Sequence, residues 1–231
     1  MRVAAIIPAA GHGERFKSKV PKPFVLVRGR PMLVHTLRNL LGSHAFEEVV
    51  VLTEPAQLGR AKNILKRHGL SDVRVECGGA TRADSVLRGL LSLSGKSEWV
   101  LVHDAARPLV NKDVVFRTLK AAKSSGAALC VLPVTATVKR LRPARNVVWS
   151  TEDRRGLCLA QTPQVFRRDL LLSRYRVLGK KALKATDEAA LFDKSAVSVR
   201  VVEGDVKNIK VTTKEDMELV KYYIRRGKAV Q

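Results

Sequence analysis

Cysteine is scarce: Cys77, Cys130 and Cys158 are odd in number and far apart in a chain of 231 residues. That excludes a disulfide framework and a zinc cluster, both of which need paired, suitably spaced ligands, and a reducing, cytoplasmic setting is expected. Aromatic residues make up only 5% of the chain, a thin supply for the stacking platform of a single-strand nucleic-acid binder. No apolar run nears the roughly 20 residues that span a bilayer, and the first residues carry only the short run Val3 to Ala10, without the layout of a signal peptide. Neither membrane insertion nor secretion is expected. Acidic residues are also few, 21 against 43 Lys and Arg, for a net charge of +22. Such a field attracts nucleic acid, anionic membrane or anionic metabolites. The cations are scattered from Lys17 to Lys228 without a nucleic-acid-binding motif, so most of them read as solvated surface and nucleic acid is not the expected partner.

What is present is a chain 45% hydrophobic, able to bury a substantial core. Short apolar runs recur at Val3 to Ile7, Val49 to Thr53, Val73 to Glu76, Trp99 to His103 and Ala127 to Pro133, each the length of a buried strand. Helical spacing lies between them. Leu33, Leu37, Leu40 and Leu41 stop at Gly42; Val86, Leu90 and Leu93 follow Arg82; Val115, Leu119 and Ala122 stop at Gly126. Alternation of this kind predicts βαβ crossovers, hence an α/β fold with a doubly wound, mostly parallel sheet and ligands beyond the carboxyl ends of its strands. The pattern breaks at about 135–160, where Thr135, Thr137, Val138 and Val147 to Trp149 flank a basic turn. This predicts a projecting β-arm, and because an isolated hairpin is marginal, a partner subunit is the natural surface for it. Beyond it, helix is expected at Thr186 to Phe192, strand at Val197 to Glu203 and a last helix near Lys214 to Arg226. No linker or repeat divides residues 1–231, so one domain carrying the arm is expected.

Three strand ends carry chemistry. Pro8-Ala-Ala-Gly-His-Gly-Glu-Arg15, followed by Pro21-Lys22, empties the first strand into a loop where Gly11 and Gly13 permit close backbone approach. Ala9 and Ala10 leave room beside a flat base, and Arg15 and Lys22 can face polyphosphate oxygens. The spacing is neither G-x-G-x-x-G nor a Gly-Lys-Ser/Thr phosphate loop, which disfavours a nicotinamide dehydrogenase; an ordinary turn is the competing reading. Gly78-Gly79-Ala80-Thr-Arg82-Ala-Asp-Ser85 offers amides, a guanidinium and a hydroxyl at a second strand end. His103-Asp104-Ala-Ala-Arg107 follows the strand from Trp99 and puts Asp104 where a magnesium ion shared with substrate phosphates needs a carboxylate; a helix cap is the alternative. His103 alone, without a visible partner, reads as packing or hydrogen bonding. No well-spaced Ser–His pair supports acyl-enzyme chemistry, and Thr186-Asp187-Glu188 reads as capping.

Together with Thr162-Pro-Gln-x-Phe166 and Asn208-x-Lys210-x-Thr212, these motifs resemble the 2-C-methyl-D-erythritol 4-phosphate cytidylyltransferases, Rossmann-like nucleotidyltransferases of the non-mevalonate isoprenoid pathway. The resemblance runs from residue 3 to about residue 216 and implies that CTP and 2-C-methyl-D-erythritol 4-phosphate are joined with release of pyrophosphate. By that resemblance Arg15, Lys22, Arg154 and Lys210 are the catalytic cations, with Lys210 and Arg154 on the acceptor phosphate. Ala9, Ala10, Gly11, Gly13, Gly78, Ala80, Arg82 and Ser85 hold the nucleotide, Asp104 ligates Mg2+, and Arg107, Thr162 and Thr186 line the acceptor side. It also implies a homodimer through the arm, with Arg154 acting in the neighbour's site. Pro23, Ala136 and Lys207 depart from the family pattern, where Gln, Asp and a small or acidic residue are usual. Ribitol 5-phosphate is the rival acceptor, and a basic nucleic-acid-binding protein the rival of another class.

Overall fold

In a computed structural model, which describes residues 1–10, 16, 18, 20–143 and 146–227, the chain builds a seven-stranded sheet between two helical layers. Strand β1 (Val3–Pro8) leads through a small hairpin, β2 (Leu26–Val27) and β3 (Arg30–Pro31), into helix α1 (Met32–Leu41) and strand β4 (Glu48–Thr53). Then come α2 (Leu58–Arg67), β5 (Arg74–Cys77), α3 (Arg82–Ser92), β6 (Trp99–Val102), α4 (Lys112–Ser125) and β7 (Ala127–Pro133). The arm is β8 (Val138–Leu141) and β9 (Val148–Glu152), followed by β10 (Cys158–Arg167), α5 (Arg168–Leu178), β11 (Arg200–Glu203) and α6 (Lys214–Gly227). Sheet order is β11-β7-β10-β6-β1-β4-β5. Within this sheet every pairing is parallel except the two made by β10.

Alternation along β1 explains the two layers, because successive side chains of a strand point to opposite faces. Val3, Ala5 and Ile7 join the core with Leu33, Leu37 and Leu40 of α1 and Val115, Leu119 and Ala122 of α4; Ala4 and Ile6 join Val86 and Leu90 of α3 with Leu171 and Tyr175 of α5. Residues stacked on both faces are what makes such strands continuously apolar. Helix α4 ends where the sequence predicts, on Gly126 with φ +84, a left-handed residue that glycine adopts without steric cost.

The polar segment Gln161–Phe166 lies within β10, antiparallel between β6 and β7. Two expectations need correction. The arm is shorter than 135–160: Cys158 to Ala160 already pair with Pro133 to Val131 of β7. The stretch 186–192 is helical only as a single 3-10 turn, Ala189–Phe192, because the residues before it are bent to serve the site. Helices α2 and α5, absent from the sequence expectation, complete the layers.

The chain leaves β1 toward β4 and β5, then returns through α3 to pair β6 on the other side of β1. That reversal of strand order opens a crevice at the carboxyl ends of β1 and β6, the place where open α/β sheets bind ligands.

Candidate active site

At the end of β6, Asp104 is buried and gathers three cations, two of them from segments distant in sequence. Arg82 Nε donates to its Oδ1 at 2.8 Å, Lys210 Nζ lies 2.8 Å from its Oδ2, and Arg107 Nε stands 3.9 Å away. Burial opposes ionisation of Asp104, but the charges of Arg82, Lys210 and Arg107 outweigh it and hold the carboxyl well below the usual range. Arg82 is the first residue of α3, after the Thr81 cap, whose side chain accepts from the Asp84 amide. Its Nη1 reaches both oxygens of Glu188 at 2.9 Å. Glu188 is fully buried, which pushes its carboxyl up, with Arg82 offsetting part of that cost.

A neutral hydrogen-bond chain fixes the backbone under Asp104. The Arg107 carbonyl can only accept, so His103 Nε2 donates to it at 3.1 Å, leaving Nδ1 to accept from the Thr162 hydroxyl at 3.0 Å. The Thr162 oxygen in turn accepts from the Asp104 amide at 3.1 Å. Burial pushes the His103 imidazole down to about 4, so the ring is neutral at pH 7. Thr162 sits where the β10 register shifts between Ala160 and Gln164, and such irregularities re-aim side chains toward a site. Arg107 Nη1 bonds the Asn208 carbonyl at 2.7 Å, and Asn208 Nδ2 bonds the Thr162 carbonyl at 2.7 Å, tying the segment that carries Lys210 to the sheet.

The second strand-end loop lies against the first. A Cβ on Gly78 would meet the Ala10 Cβ at 2.7 Å and Ser85 Oγ at 2.8 Å, so only glycine lets these loops approach. The Gly79 amide donates to Ser85 Oγ at 3.0 Å and the Ala80 amide to Asp84 at 2.9 Å. Ala9 is buried, and its amide bonds the Leu52 carbonyl at 2.7 Å. Lys22 Nζ donates to the Val211 carbonyl at 3.1 Å, which places it beside the residue following Lys210.

The sequence-predicted set therefore divides. Asp104, Arg82, Arg107, Lys210 and Thr162 converge; Lys22 joins them through Val211; Ala9, Ala10, Gly78, Ala80 and Ser85 form the adjoining floor. Thr186 is exposed on the bend before Glu188. Arg154 is exposed on the arm, bonded to the Thr135 carbonyl, with no hydrogen bond to the cluster among the described residues. Gly11, Gly13 and Arg15 lie outside the described residues. Lys207, a departure from the family pattern, places its ammonium 5.9 Å from the Tyr223 ring centroid. Sequence reasoning missed Glu188, which it took for part of a cap; that role falls to Asp187, whose Oδ1 accepts from the Ala190 amide at 3.0 Å.

Comparison with known proteins supplies relatives along nearly the whole chain. The family model described as "IspD: 2-C-methyl-D-erythritol 4-phosphate cytidylyltransferase" matches residues 3–226. A 2-C-methyl-D-erythritol 4-phosphate cytidylyltransferase of Syntrophus aciditrophicus is 35% identical, with 97% of each chain covered. A bifunctional enzyme IspD/IspF of Desulfotalea psychrophila is 38% identical over 97% of this chain, which spans 57% of that longer protein. Among solved structures, 4-diphosphocytidyl-2C-methyl-D-erythritol synthase of Anaerococcus prevotii superposes with a TM-score of 0.83 at 30% identity, covering 97% of this chain and 98% of that one.

Proposed function

The chain belongs to the 2-C-methyl-D-erythritol 4-phosphate cytidylyltransferase family, and from that premise we infer that it joins CTP to 2-C-methyl-D-erythritol 4-phosphate, releasing pyrophosphate and forming 4-diphosphocytidyl-2-C-methyl-D-erythritol for isoprenoid biosynthesis. The observation that carries this reading is the convergence of Arg82, Arg107 and Lys210 on Asp104 beside a floor too tight for any side chain at Gly78. A phosphate monoester is already close to doubly ionised at neutral pH, its second pKa being about 6, so the nucleophile needs no general base. It needs cations, because two anionic phosphates must meet and charge must spread onto the α-phosphate oxygens. Lys22 and Arg15 serve the α-phosphate, Lys210 and Arg107 the acceptor phosphate, and the Ala9–Ala10 and Gly78–Ser85 loops the cytidine. Thr162 fixes Asp104, and Thr186 borders the acceptor.

The donor set also fits a magnesium ion carried by the substrate. Among the described residues no group of three His, Cys, Asp or Glu side chains converges, whereas one carboxylate plus substrate phosphates is how magnesium is commonly held. Asp104 would hold the ion, and bound magnesium would supply charge neutralisation on the triphosphate.

The arm supports a homodimer. Leu141, Val147, Val148 and Trp149 are all more than half exposed, and apolar residues grouped on a two-stranded ribbon call for a covering surface. A second copy, related by a two-fold axis, would cover both arms at once and bring Arg154 to the neighbour's acceptor phosphate. Cys77, Cys130 and Cys158 are free, and no helix among the described residues is long and apolar enough to cross a membrane.

Purified protein with CTP, magnesium and 2-C-methyl-D-erythritol 4-phosphate should release pyrophosphate in step with the new diphosphate ester, monitored by phosphorus NMR. Turnover with ribitol 5-phosphate alone would transfer the protein to the rival acceptor class. Salt-steep nucleic-acid binding without any turnover would overturn the enzymatic reading.

A further inference from the structure

Among the described residues, Glu188 is the one fully buried carboxylate in contact with the cationic cluster that the chemistry above leaves without a task. Its side chain is 0% exposed, and both oxygens accept from the same Nη1 of Arg82 at 2.9 Å. The opposite edge of that guanidinium, through Nε, holds Asp104 Oδ1 at 2.8 Å. The third nitrogen, Nη2, is buried and has no partner among the described residues. An unsatisfied buried donor is costly to the fold, and that cost is removed when a ligand oxygen accepts from it.

The bend that carries Glu188 is itself fixed. Gln164 of β10 accepts from the Ala189 amide at 3.0 Å and donates to Asp187 at 2.8 Å. Tyr175 donates to the Ala83 carbonyl at 3.1 Å, next to Arg82, and its hydroxyl stands 3.5 Å from Glu188. Both ends of the Glu188–Arg82 pair are thus anchored to the sheet and to α5, and the guanidinium plane, set by two carboxylates, has little freedom to turn.

We propose that Glu188 is a positioning residue: it clamps one edge of Arg82 so that Nε orients Asp104 and Nη2 is presented to an oxyanion of the bound substrate. The proposal rests on the cytidylyl-transfer reading and deepens it, since Arg82 is the substrate-facing group and Glu188 acts only through it. Without Glu188 the guanidinium can rotate about its side chain, and misplacement of about 1 Å costs about 100-fold in rate.

A double-mutant cycle tests this. Glu188→Gln is expected to lower kcat about tenfold or more while KM for CTP stays within about threefold, the split that marks an interaction made in the transition state. Arg82→Gln is expected to lose at least as much. The double variant Glu188→Gln/Arg82→Gln should be no slower than Arg82→Gln alone, because a residue acting through Arg82 has nothing left to position. Multiplying losses, or wild-type kcat in Glu188→Gln, would overturn the proposal while leaving the function intact. A readout independent of turnover is the Arg82 Nε–H signal in arginine-labelled nitrogen NMR, identified by its loss in Arg82→Gln. It should exchange slowly in the wild type and broaden in Glu188→Gln; an unchanged signal overturns the clamp even if the chain transfers no cytidylyl group. Should Glu188→Gln not fold, Glu188→Asp, which keeps the charge on a shorter side chain, carries the same cycle and the same NMR comparison.

Discussion

Two arginine–carboxylate pairs occupy opposite surroundings in this molecule. Arg82–Glu188 closes at 2.9 Å with its side chains 21% and 0% exposed; Arg140–Glu152 bridges β8 and β9 at 2.8 Å with 65% and 29% exposed. Distance does not separate them. Burial does: charges taken out of water must be compensated by fixed partners, so the inner pair locks a geometry, whereas water and salt compete for the outer one. The carboxyl end of the sheet is therefore a place where ion pairs dictate position. On the arm the exposed apolar surface around Trp149 matters more than the charges do.

The largest effect is expected where that inner cluster meets the substrate. Lys210→Gln should lower kcat for pyrophosphate release about 100-fold to 1,000-fold, the range for removing one preorganised stabiliser of developing charge. Lys210 also compensates the buried Asp104, so a fall in the thermal unfolding midpoint should accompany the rate loss, with the protein still folded at assay temperature. A rate loss below about threefold would mean that Lys210 serves Asp104 rather than the acceptor phosphate.

Next in size is the effect expected of Arg154 in the proposed homodimer. Arg154→Ala and Lys22→Ala homodimers should each be nearly inactive, and equal mixing after subunit exchange should restore about a quarter of wild-type activity. Half the dimers are then mixed, and each has one site with both cations intact. No recovery in dimers verified as mixed by mass spectrometry would place Arg154 in its own chain's site.

A third prediction separates His103 from its charged neighbours. Its imidazole is lowered from the ordinary 6.5 to about 4 by burial, so the unfolded chain binds the extra proton between those values. The associated stability is complete above about pH 6.5 and is lost as pH falls toward 4, a change of about 3 kcal/mol. Glu188, raised by burial, contributes with the opposite sign, and Asp104 titrates below this window. Urea unfolding at several pH values between 7 and 4.5 should therefore give a shallower pH slope in His103→Gln than in the wild type. Parallel slopes would mean that His103 is not the group responsible.

The same contrast explains what was legible in the sequence. Strand β1, Asp104 after β6, and the α4 stop at Gly126 were legible because apolar periodicity and glycine report local conformation. Strand β10 was not. Gln161, Thr162 and Gln164 are polar yet buried at 5%, 3% and 1%, since their partners are side chains and carbonyls of His103, Asp205, Asn208 and Asp187, supplied by other segments. Glu188 escaped for the same reason, its arginine lying 106 positions away. A polar residue's partner depends on topology, and a strand of polar residues carries no apolar period to announce itself. Arg82 was picked out, but only as a loop cation; its role as the bridge between two carboxylates needed the fold.

The smallest effect is expected at the outer pair. Arg140 and Glu152 are each drawn toward the charged form by their shared hydrogen bonds, yet both stand in water that supplies a competing shell at nearly equal free energy. Arg140→Ala, Glu152→Ala and the double variant should share one thermal unfolding midpoint with the wild type, and the cycle should show no coupling between the two positions. Raising the salt concentration should leave that result unchanged, because nothing remains to be screened. If Arg140→Ala instead lowers the midpoint or dissociates the dimer, the arm's charges are shielded by a partner surface. The contrast between the two pairs would then hold for the isolated subunit and vanish in the assembly.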